Sequence, residues 1–246
     1  IIKLSNLTIQ RDKTKILENI NWEVNQGEHW VVIGGNGSGK TTLLNALTGY
    51  FAPTKGEIDL LGERYGQAHW PTLRKKIGLV SSSLRQMMAD DEPALISVIT
   101  GKYAMIDLWG RPKPSDCKEA RNILRRIGCS YLADRLWSVL SQGERQRVLI
   151  GRSLMAKPNV LLLDEPTASL DPEIGDFVRT FLENYKKEKK ISILLASHNM
   201  DEVTRLCSSI MMMKNGLIID QGKPNDLITK HGRKNLEEVF LKLVRN

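Results

Sequence analysis

The sequence predicts an α/β fold that combines a mainly parallel sheet, an antiparallel β flank and an inserted helical subdomain. Residues 160–163 and 193–195 are apolar throughout, as expected of strands that are covered on both faces. Helical patterns lie between the strand-like runs, and this alternation favours parallel pairing. Strand signals fade between residues 84 and 137, where prolines and an amphipathic segment predict the helical insertion, at about residues 84–140.

The individual elements follow from short apolar runs and from helical periodicity. Strands are predicted at residues 3–9, 19–24, 30–34, 77–81, 160–163, 193–197 and 210–213, and helices at residues 41–47, 118–127, 143–155 and 175–185. Gly27 and Gly62 lie beside the strand-like runs 19–24 and 57–61, and they predict hairpin turns in the antiparallel flank. We expect one domain over residues 1–246.

The composition is that of a globular protein with a basic excess. The chain carries 36 Lys and Arg against 28 Asp and Glu, a formal net charge of +8, and this charge leaves nucleic acid, anionic lipid and a phosphate-rich ligand open as partners. No run of about 18 apolar residues occurs, so we expect no membrane span and a cytoplasmic location. Cys117, Cys129 and Cys207 are odd in number and far apart, which argues against a disulfide framework and against a paired-cysteine zinc site.

The strongest local motif is Gly-Gly-Asn-Gly-Ser-Gly-Lys-Thr at residues 34–41, which follows a predicted strand and opens a predicted helix. Glycines allow backbone angles that turn successive N–H groups towards a phosphate, and the helix N-terminus adds the positive end of its dipole. In such a loop Lys40 would reach the β- and γ-phosphates of a nucleotide, and the Thr41 hydroxyl would bind Mg²⁺. The alternative is a glycine-rich turn without a ligand.

Two acids, Asp164 and Glu165, follow the buried strand predicted at residues 160–163. Asp164 at the strand end could bind Mg²⁺, and Glu165 could polarise a water that attacks the γ-phosphate. Taken alone, such a pair is also typical of turns and helix caps. Its interpretation therefore depends on the rest of the chain.

A third motif, Leu-Ser-Gln-Gly-Glu, stands at residues 140–144, next to a predicted helix. It resembles the signature of the nucleotide-binding subunits of the ATP-binding cassette (ABC) family, a Leu-Ser-Gly-Gly-Gln type sequence that precedes the Asp-Glu strand. Gln142 and Glu144 depart from that pattern, whereas Ser141 and Gly143 keep it.

Two further segments match the family in order. Ser-Leu-Asp at residues 169–171 resembles the D-loop, and His198, which follows a predicted strand, resembles the switch histidine. Together the motifs extend the resemblance over about residues 4–221. The resemblance implies a P-loop NTPase fold in which the chain is a single ABC ATPase domain.

The resemblance also implies a role for each matching residue. The residues that would bind the triphosphate are Gly35, Asn36, Gly37, Ser38, Gly39, Lys40, Thr41 and Thr42. Thr41 and Asp164 would bind the metal. The catalytic residues would be Lys40, Glu165 as the general base and His198 at the γ-phosphate. Subunits of this family pack head to tail, so Ser141 and Gly143 would cover ATP bound to the partner subunit. Asp171 would bridge the two sites, although a simple turn would give the same local pattern.

Two family positions do not match. The family's adenine-stacking aromatic residue is absent after the first strand, and Arg11, whose guanidinium could stack on the base, is the nearest counterpart. The glutamine that binds Mg²⁺ at the start of the helical subdomain is replaced by Ser82. Either Ser82 itself or Gln86, four residues later, would then contact the metal.

Taken together, the resemblance implies an ATP-hydrolysing subunit of an ABC transporter that uses ATP and Mg²⁺. Its partners would be a second ABC ATPase subunit and separate membrane-spanning subunits at the inner face of the cell membrane. The alternative is a non-transport ABC ATPase of DNA repair, translation or regulation, for which nucleic acid stays open as a partner. Trp30, the serines at residues 81–83 and the signature variant also resemble a bacterial molybdate-related branch.

Overall fold

The computed structural model describes residues 1–168 and 170–245. Its strands are β1 (Ile2–Arg11), β2 (Thr14–Val24), β3 (His29–Gly34), β4 (Lys55–Leu60), β5 (Glu63–Arg64), β6 (Ile77–Val80), β7 (Val160–Asp164), β8 (Ser192–Ala196), β9 (Ser209–Lys214) and β10 (Leu217–Gly222). Its helices are α1 (Lys40–Leu47), α2 (Trp70–Arg74), α3 (Ser82–Met87), α4 (Ala94–Tyr103), α5 (Pro114–Arg126), α6 (Gln142–Met155), α7 (Pro172–Glu188), α8 (Met200–Leu206), α9 (Pro224–His231) and α10 (Leu236–Arg245). Every predicted strand and helix is confirmed to within a few residues.

The chain forms two compact units, one made of residues 1–70 with the chain from residue 192 onward, the other of residues 71–191. In the first unit β2, β1, β4 and β5 form an antiparallel sheet in that order. Ile2 on β1 lies opposite Val24 on β2 and opposite Leu60 on β4. This sheet is the predicted antiparallel flank.

A second sheet in the first unit is built around β3. On one side β3 pairs in parallel with β8, where Val32 lies opposite Ala196, and on the other side it pairs in parallel with β9. β10 continues the sheet antiparallel to β9. Because neighbouring parallel strands end at the same edge, the segments that follow β3 and β8 lie side by side.

Of the two predicted hairpin turns, the one at Gly27 is wrong. β3, which follows Gly27, pairs with β8 and β9, so Gly27 connects two different sheets. The hairpin partner of β2 is β1, through a turn in which Asp12 has a φ of 53°. The hairpin at Gly62 is confirmed: it joins β4 to β5, and Leu61 and Gly62 have φ of 56° and 82°, as a two-residue type I′ turn requires.

The second unit contains β6 and β7, which pair in parallel and are buried over their whole length. Between these two strands the chain forms α3, α4, α5, two short 3₁₀ turns and α6. The subdomain limits at residues 84 and 140 and the single domain over the whole chain stay predictions. Among the described residues, no helix combines the length and the apolar character needed to cross a membrane.

Candidate nucleotide site

The phosphate loop connects β3 to α1 in the first unit. Gly37 and Gly39 have φ of 77° and 104°, in the left-handed region that favours glycine. At Gly39 a side chain would also collide with its neighbours, because a Cβ there would lie 2.6 Å from Leu17 Cδ2 and 3.1 Å from the Ile16 carbonyl oxygen. The observed loop therefore requires glycine at this position.

Lys40, the first residue of α1, folds back over this loop. Its Nζ donates to the carbonyl oxygens of Gly34 at 2.6 Å and Gly35 at 3.1 Å. Gly35 and Gly37 border open space, since a Cβ built on either meets no described atom within 4 Å. A cation beside an open glycine loop at a helix N-terminus is an arrangement that fits a phosphate group.

The remaining predicted residues of the loop differ in exposure. Asn36 and Thr41 are exposed and Thr42 is half-buried, whereas Ser38 is only 4% exposed. The Ser38 N–H donates to the Gly35 carbonyl at 3.1 Å. Ser38 therefore supports the loop from beneath, while Thr41 presents its hydroxyl at the first turn of α1.

His198 lies at the same sheet edge as the phosphate loop. The paired register of β3 and β8 ends with Val32 opposite Ala196. His198 comes two residues after this last pair, beyond the end of β8, and its side chain is exposed. The first unit thus brings Lys40 and His198 to one edge.

Arg11, at the end of β1, stacks on an aromatic ring. Its guanidinium carbon lies 5.1 Å from the centre of the Phe51 ring. A guanidinium held over a ring can present its other face to a planar base. Sequence reasoning missed Phe51, although the aromatic pair that it forms with Tyr50, just after α1, was an available signal.

The Asp-Glu pair lies where β7 ends in the second unit. Asp164 is the last residue of the strand and is 8% exposed, and Glu165 is half-buried. Glu165 has a φ of 50°, in the left-handed region that a residue with a Cβ rarely adopts. Such a conformation costs about 1–3 kcal/mol and persists only where the surrounding structure holds it.

Gln146 on α6 holds this segment. Its Nε2 donates to the Pro166 carbonyl at 3.1 Å and to the Glu165 carbonyl at 3.4 Å. The Ala168 N–H donates to the same Glu165 carbonyl at 3.3 Å. Gln146 is 5% exposed. Sequence reasoning missed Gln146. The available signal was its spacing from the apolar Ile150, four residues later on the same face of α6, which the structure buries.

The signature forms the N-terminus of α6. Ser141 is the N-cap: its Oγ accepts from the Glu144 N–H at 3.2 Å, and a carboxylate oxygen of Glu144 accepts from the Ser141 N–H at 2.8 Å. Burial acts to raise the pKa of Glu144, but hydrogen bonds from Ser141 and Tyr131 outweigh it and keep this pKa below its ordinary value. Ser141 is exposed and Gly143 is half-buried in the first turn.

Asp171 has a local role that the structure makes explicit. It is the N-cap of α7, because its carboxylate accepts from the Ile174 N–H at 3.0 Å. Elsewhere in the expected D-loop, Leu170 donates to the Thr167 carbonyl at 3.1 Å, and Ser169 lies outside the described residues. The bridging role of Asp171 in a dimer stays a prediction.

The two metal candidates that follow β6 share one face of α3. Ser82 is the first residue of the helix, and Ser81 caps it by accepting from the Leu84 N–H at 3.2 Å. Gln86 comes four residues after Ser82, so the two side chains lie one above the other. Both are exposed.

The predicted metal ligands carry oxygen donors, which a hard cation prefers. Among the described residues, no group of three or more His, Cys, Asp or Glu side chains could hold a metal ion by itself. Mg²⁺ is usually bound by one or two protein oxygens, with phosphate oxygens and water completing its shell. The Thr41 hydroxyl in the first unit and the Asp164 carboxylate in the second unit are each an oxygen donor of this kind.

Comparison with known proteins identifies the family. The family model described as ABC transporter matches residues 17–168, more than half of the chain. The chain belongs to the ABC transporter family.

Relatives of this ABC chain match it almost from end to end. The uncharacterized ABC transporter ATP-binding protein YlmA of Bacillus subtilis is 38% identical over 234 residues, which cover 93% of this chain and 88% of YlmA. Among solved structures, cbiO1 from Clostridium perfringens is 31% identical and superposes with a TM-score of 0.76. The match covers 99% of this chain and 94% of the cbiO1 chain, which is described as part of the ABC transporter complex cbiONQ. A dimeric ATP-binding cassette in a post-hydrolysis state with ADP and Pi is 25% identical with a TM-score of 0.81, and covers 91% of this chain and 98% of its own.

These comparisons confirm the P-loop ATPase fold and place the chain with the ATP-binding subunits of ABC transporters. The chain is an ABC ATPase. The resemblance to a molybdate-related branch is not borne out by these relatives.

Proposed function

We propose that this ABC ATPase binds ATP with Mg²⁺, hydrolyses it to ADP and phosphate, and thereby drives separate membrane-spanning subunits. The observation that carries the proposal is the phosphate loop. Gly39 holds a φ of 104° at the start of α1, and the Nζ of Lys40 lies 2.6 Å from the Gly34 carbonyl oxygen, over the loop. In the bound state Lys40 exchanges this carbonyl contact for the β- and γ-phosphates, supported by the backbone N–H groups of residues 35–39.

The hydrolytic step uses the carboxylates of β7 and the histidine after β8. Thr41 and Asp164 would each offer an oxygen ligand to Mg²⁺, which when bound would neutralise charge on the phosphates. Glu165 takes a proton from a water as the water oxygen bonds to the γ-phosphorus. The bond from that phosphorus to the β–γ bridging oxygen breaks, and ADP leaves. His198 donates to a γ-phosphate oxygen.

The signature serves a second copy of an ABC ATPase subunit. Ser141 and Gly143 form the first turn of α6, and the Ser141 hydroxyl, which accepts a hydrogen bond from Glu144, can still donate its own proton to a phosphate. Asp171 bridges the two sites. The dimeric state of the relative bound to ADP and Pi supports this arrangement.

Membrane-spanning subunits are the second class of partner, and the ATPase acts at the cytoplasmic face of the membrane. The cbiO1 relative, which is part of a transporter complex, supports this. Exposed apolar side chains in the second unit offer contact area: Trp109 is 87% exposed, Val139 65% and Met87 46%. Large exposed aromatic residues are enriched at protein interfaces.

The binding test replaces Lys40 by methionine, which keeps the length of the side chain and removes its charge. We expect affinity for a fluorescent ATP analogue to fall at least tenfold, because hydrogen bonds to charged groups contribute about 1.5–3 kcal/mol. Lys75→Met, the same change at an exposed lysine, should bind as the parent does. Unchanged affinity in Lys40→Met would refute the assignment of the phosphate loop.

A non-transport ABC ATPase is the second candidate, because the net charge of +8 suits nucleic acid as well as an anionic membrane surface. Affinity capture from solubilised membranes and from the soluble fraction separates the two functions. Recovery of a polytopic membrane protein supports transport. Recovery of ribosomes or DNA in its place supports the alternative.

A further inference from the structure

We propose that Gln146 is a positioning residue that fixes the backbone of the Glu165 loop to the signature helix α6, and thereby sets the orientation of the general base. The inference rests on the proposed function, in which Glu165 takes the proton of the attacking water. It adds a residue of the signature helix to the hydrolytic machinery of the same chain.

Glu165 has a strained backbone conformation. The residue comes directly after β7 with a φ of 50°, so its carboxylate leaves the strand in a direction that an extended residue would not give. Nothing intrinsic to glutamate favours this conformation. Contacts from other elements must therefore maintain it.

Gln146 makes two hydrogen bonds to the segment that contains Glu165. Its amide lies between two consecutive carbonyl oxygens, 3.1 Å from that of Pro166 and 3.4 Å from that of Glu165. The bond to the Glu165 carbonyl holds the peptide plane between Glu165 and Pro166, whose orientation sets the ψ of Glu165, and the bond to the Pro166 carbonyl holds the next peptide plane. A glutamine that is 5% exposed is well placed for this role, because buried amides keep their partners.

The helix that carries Gln146 is held by hydrogen bonds along its length. The capping box of Ser141 and Glu144 closes the N-terminus of α6. Further along the helix, the Arg147 guanidinium donates to the Gly128 carbonyl at 3.2 Å, and that of Arg152 donates to the Thr100 hydroxyl at 3.0 Å. Because α6 is held at three points, a side chain on it can restrain the backbone of a neighbouring loop more precisely than contacts within the loop can.

The consequence is a selective effect on the chemical step. Residues 35–41 hold the triphosphate, so loss of the Gln146 hydrogen bonds should leave the KM for ATP nearly unchanged. The general base, in contrast, would be displaced. Since a displacement of about 1 Å can cost a hundredfold in rate, we expect a fall in kcat of about tenfold for partial misplacement.

The primary test is Gln146→Met, which removes the amide donor at similar volume. We expect kcat to fall about tenfold with the KM for ATP within twofold of the parent. In the Glu165→Gln background the same substitution should cause no further loss, because the group that Gln146 positions is then absent. Gln67→Met, the same change at an exposed glutamine, should keep the parental kcat.

A second variant keeps the proposal testable where Gln146→Met does not fold. Gln146→Glu replaces the amide donor by a carboxyl group, which donates to a carbonyl only when it is protonated. The ratio of its kcat to the parental kcat should therefore rise as the pH is lowered. A residue that only fills space would give a ratio that does not change with pH.

Three results would overturn the proposal: a parental kcat in Gln146→Met, a further loss of rate in the Glu165→Gln background, or a pH-independent ratio for Gln146→Glu. The proposed function fails separately. If Glu165→Gln hydrolyses ATP as fast as the parent, the assignment of the general base is wrong whatever Gln146 does.

Discussion

Glu144, the residue at which the signature departs most in charge from the family pattern, is predicted to stabilise α6 through its capping box. Glu144→Ala removes the carboxylate that accepts from the Ser141 N–H at 2.8 Å. Capping interactions contribute about 0.5–2 kcal/mol, and a carboxylate near a helix N-terminus contributes about 0.3–1 kcal/mol. Because Glu144 is only half-buried, we expect a loss of about 1 kcal/mol in the free energy of unfolding.

The pH dependence of this loss follows from the lowered pKa of Glu144. A carboxyl group whose pKa is lowered by folding stabilises the folded state above its unfolded pKa, here 4.5, and loses that contribution as the pH falls through the lowered value. The difference between parent and Glu144→Ala should therefore be complete at neutral pH and should shrink in acid below pH 4.5.

Urea denaturation followed by circular dichroism, at neutral pH and at several acid pH values, measures this difference. Glu173→Ala is the matched control, because Glu173 is also an acid in the first turn of a helix, and the N-cap of that helix, Asp171, accepts from the Ile174 N–H. We expect the control to lose at most about half as much stability. A Glu144→Ala protein as stable as the parent, or a difference that persists unchanged in acid, would show that the Glu144 carboxylate does not stabilise the N-terminus of α6.

Three further predictions concern the phosphate loop, the cysteine thiols and the contact between Arg11 and the nucleotide base. In Gly39→Ala the new Cβ would lie 2.6 Å from a leucine side chain, on a residue whose φ is 104°. We expect this change to lower the thermal unfolding midpoint and to abolish ATP binding. A stable variant that binds ATP would contradict the loop geometry. Burial raises the pKa of Cys129 to about 11, so its thiol is protonated at pH 8 and reacts slowly. In a protein in which Cys117 and Cys207 are replaced by serine, an aromatic disulfide reagent at pH 8 should therefore label Cys129 slowly until urea unfolds the chain. Rapid labelling of the folded protein would count against this pKa. Arg11→Ala should weaken ATP binding severalfold and leave binding of inorganic tripolyphosphate unchanged, and an equal loss for both ligands in calorimetric titrations would show that Arg11 does not contact the base.

Much of the fold could be predicted because its signals are local. β7 was found because its residues are apolar on both faces, and the phosphate loop because its glycines are needed at fixed positions between a strand and a helix. At α5 and α7 the apolar pattern predicts a helix start four and three residues after the observed one. In both, the first position is a proline, Pro114 or Pro172, which extends the helix N-terminally beyond the apolar pattern.

The missed features depend on contacts between distant parts of the chain. Gln146 meets the Glu165 carbonyl across 19 positions of sequence, and Arg11 meets Phe51 only after β1 and the loop following α1 have packed. The hairpin at Gly27 was wrong for the same reason, because a glycine turn does not specify which strand the next strand will pair with. Local patterns predict elements, whereas the packing of the elements decides which side chains meet.

The most direct test of the central claim, that Glu165 is the general base of an ATP hydrolase, is the single-turnover rate of phosphate release from Glu165→Gln. A general base contributes about 10²–10⁴-fold. We therefore expect release at least about a hundredfold slower than in the parent, while ATP stays bound and the ATP-bound protein elutes as a dimer. Phosphate release at the parental rate would contradict the claim.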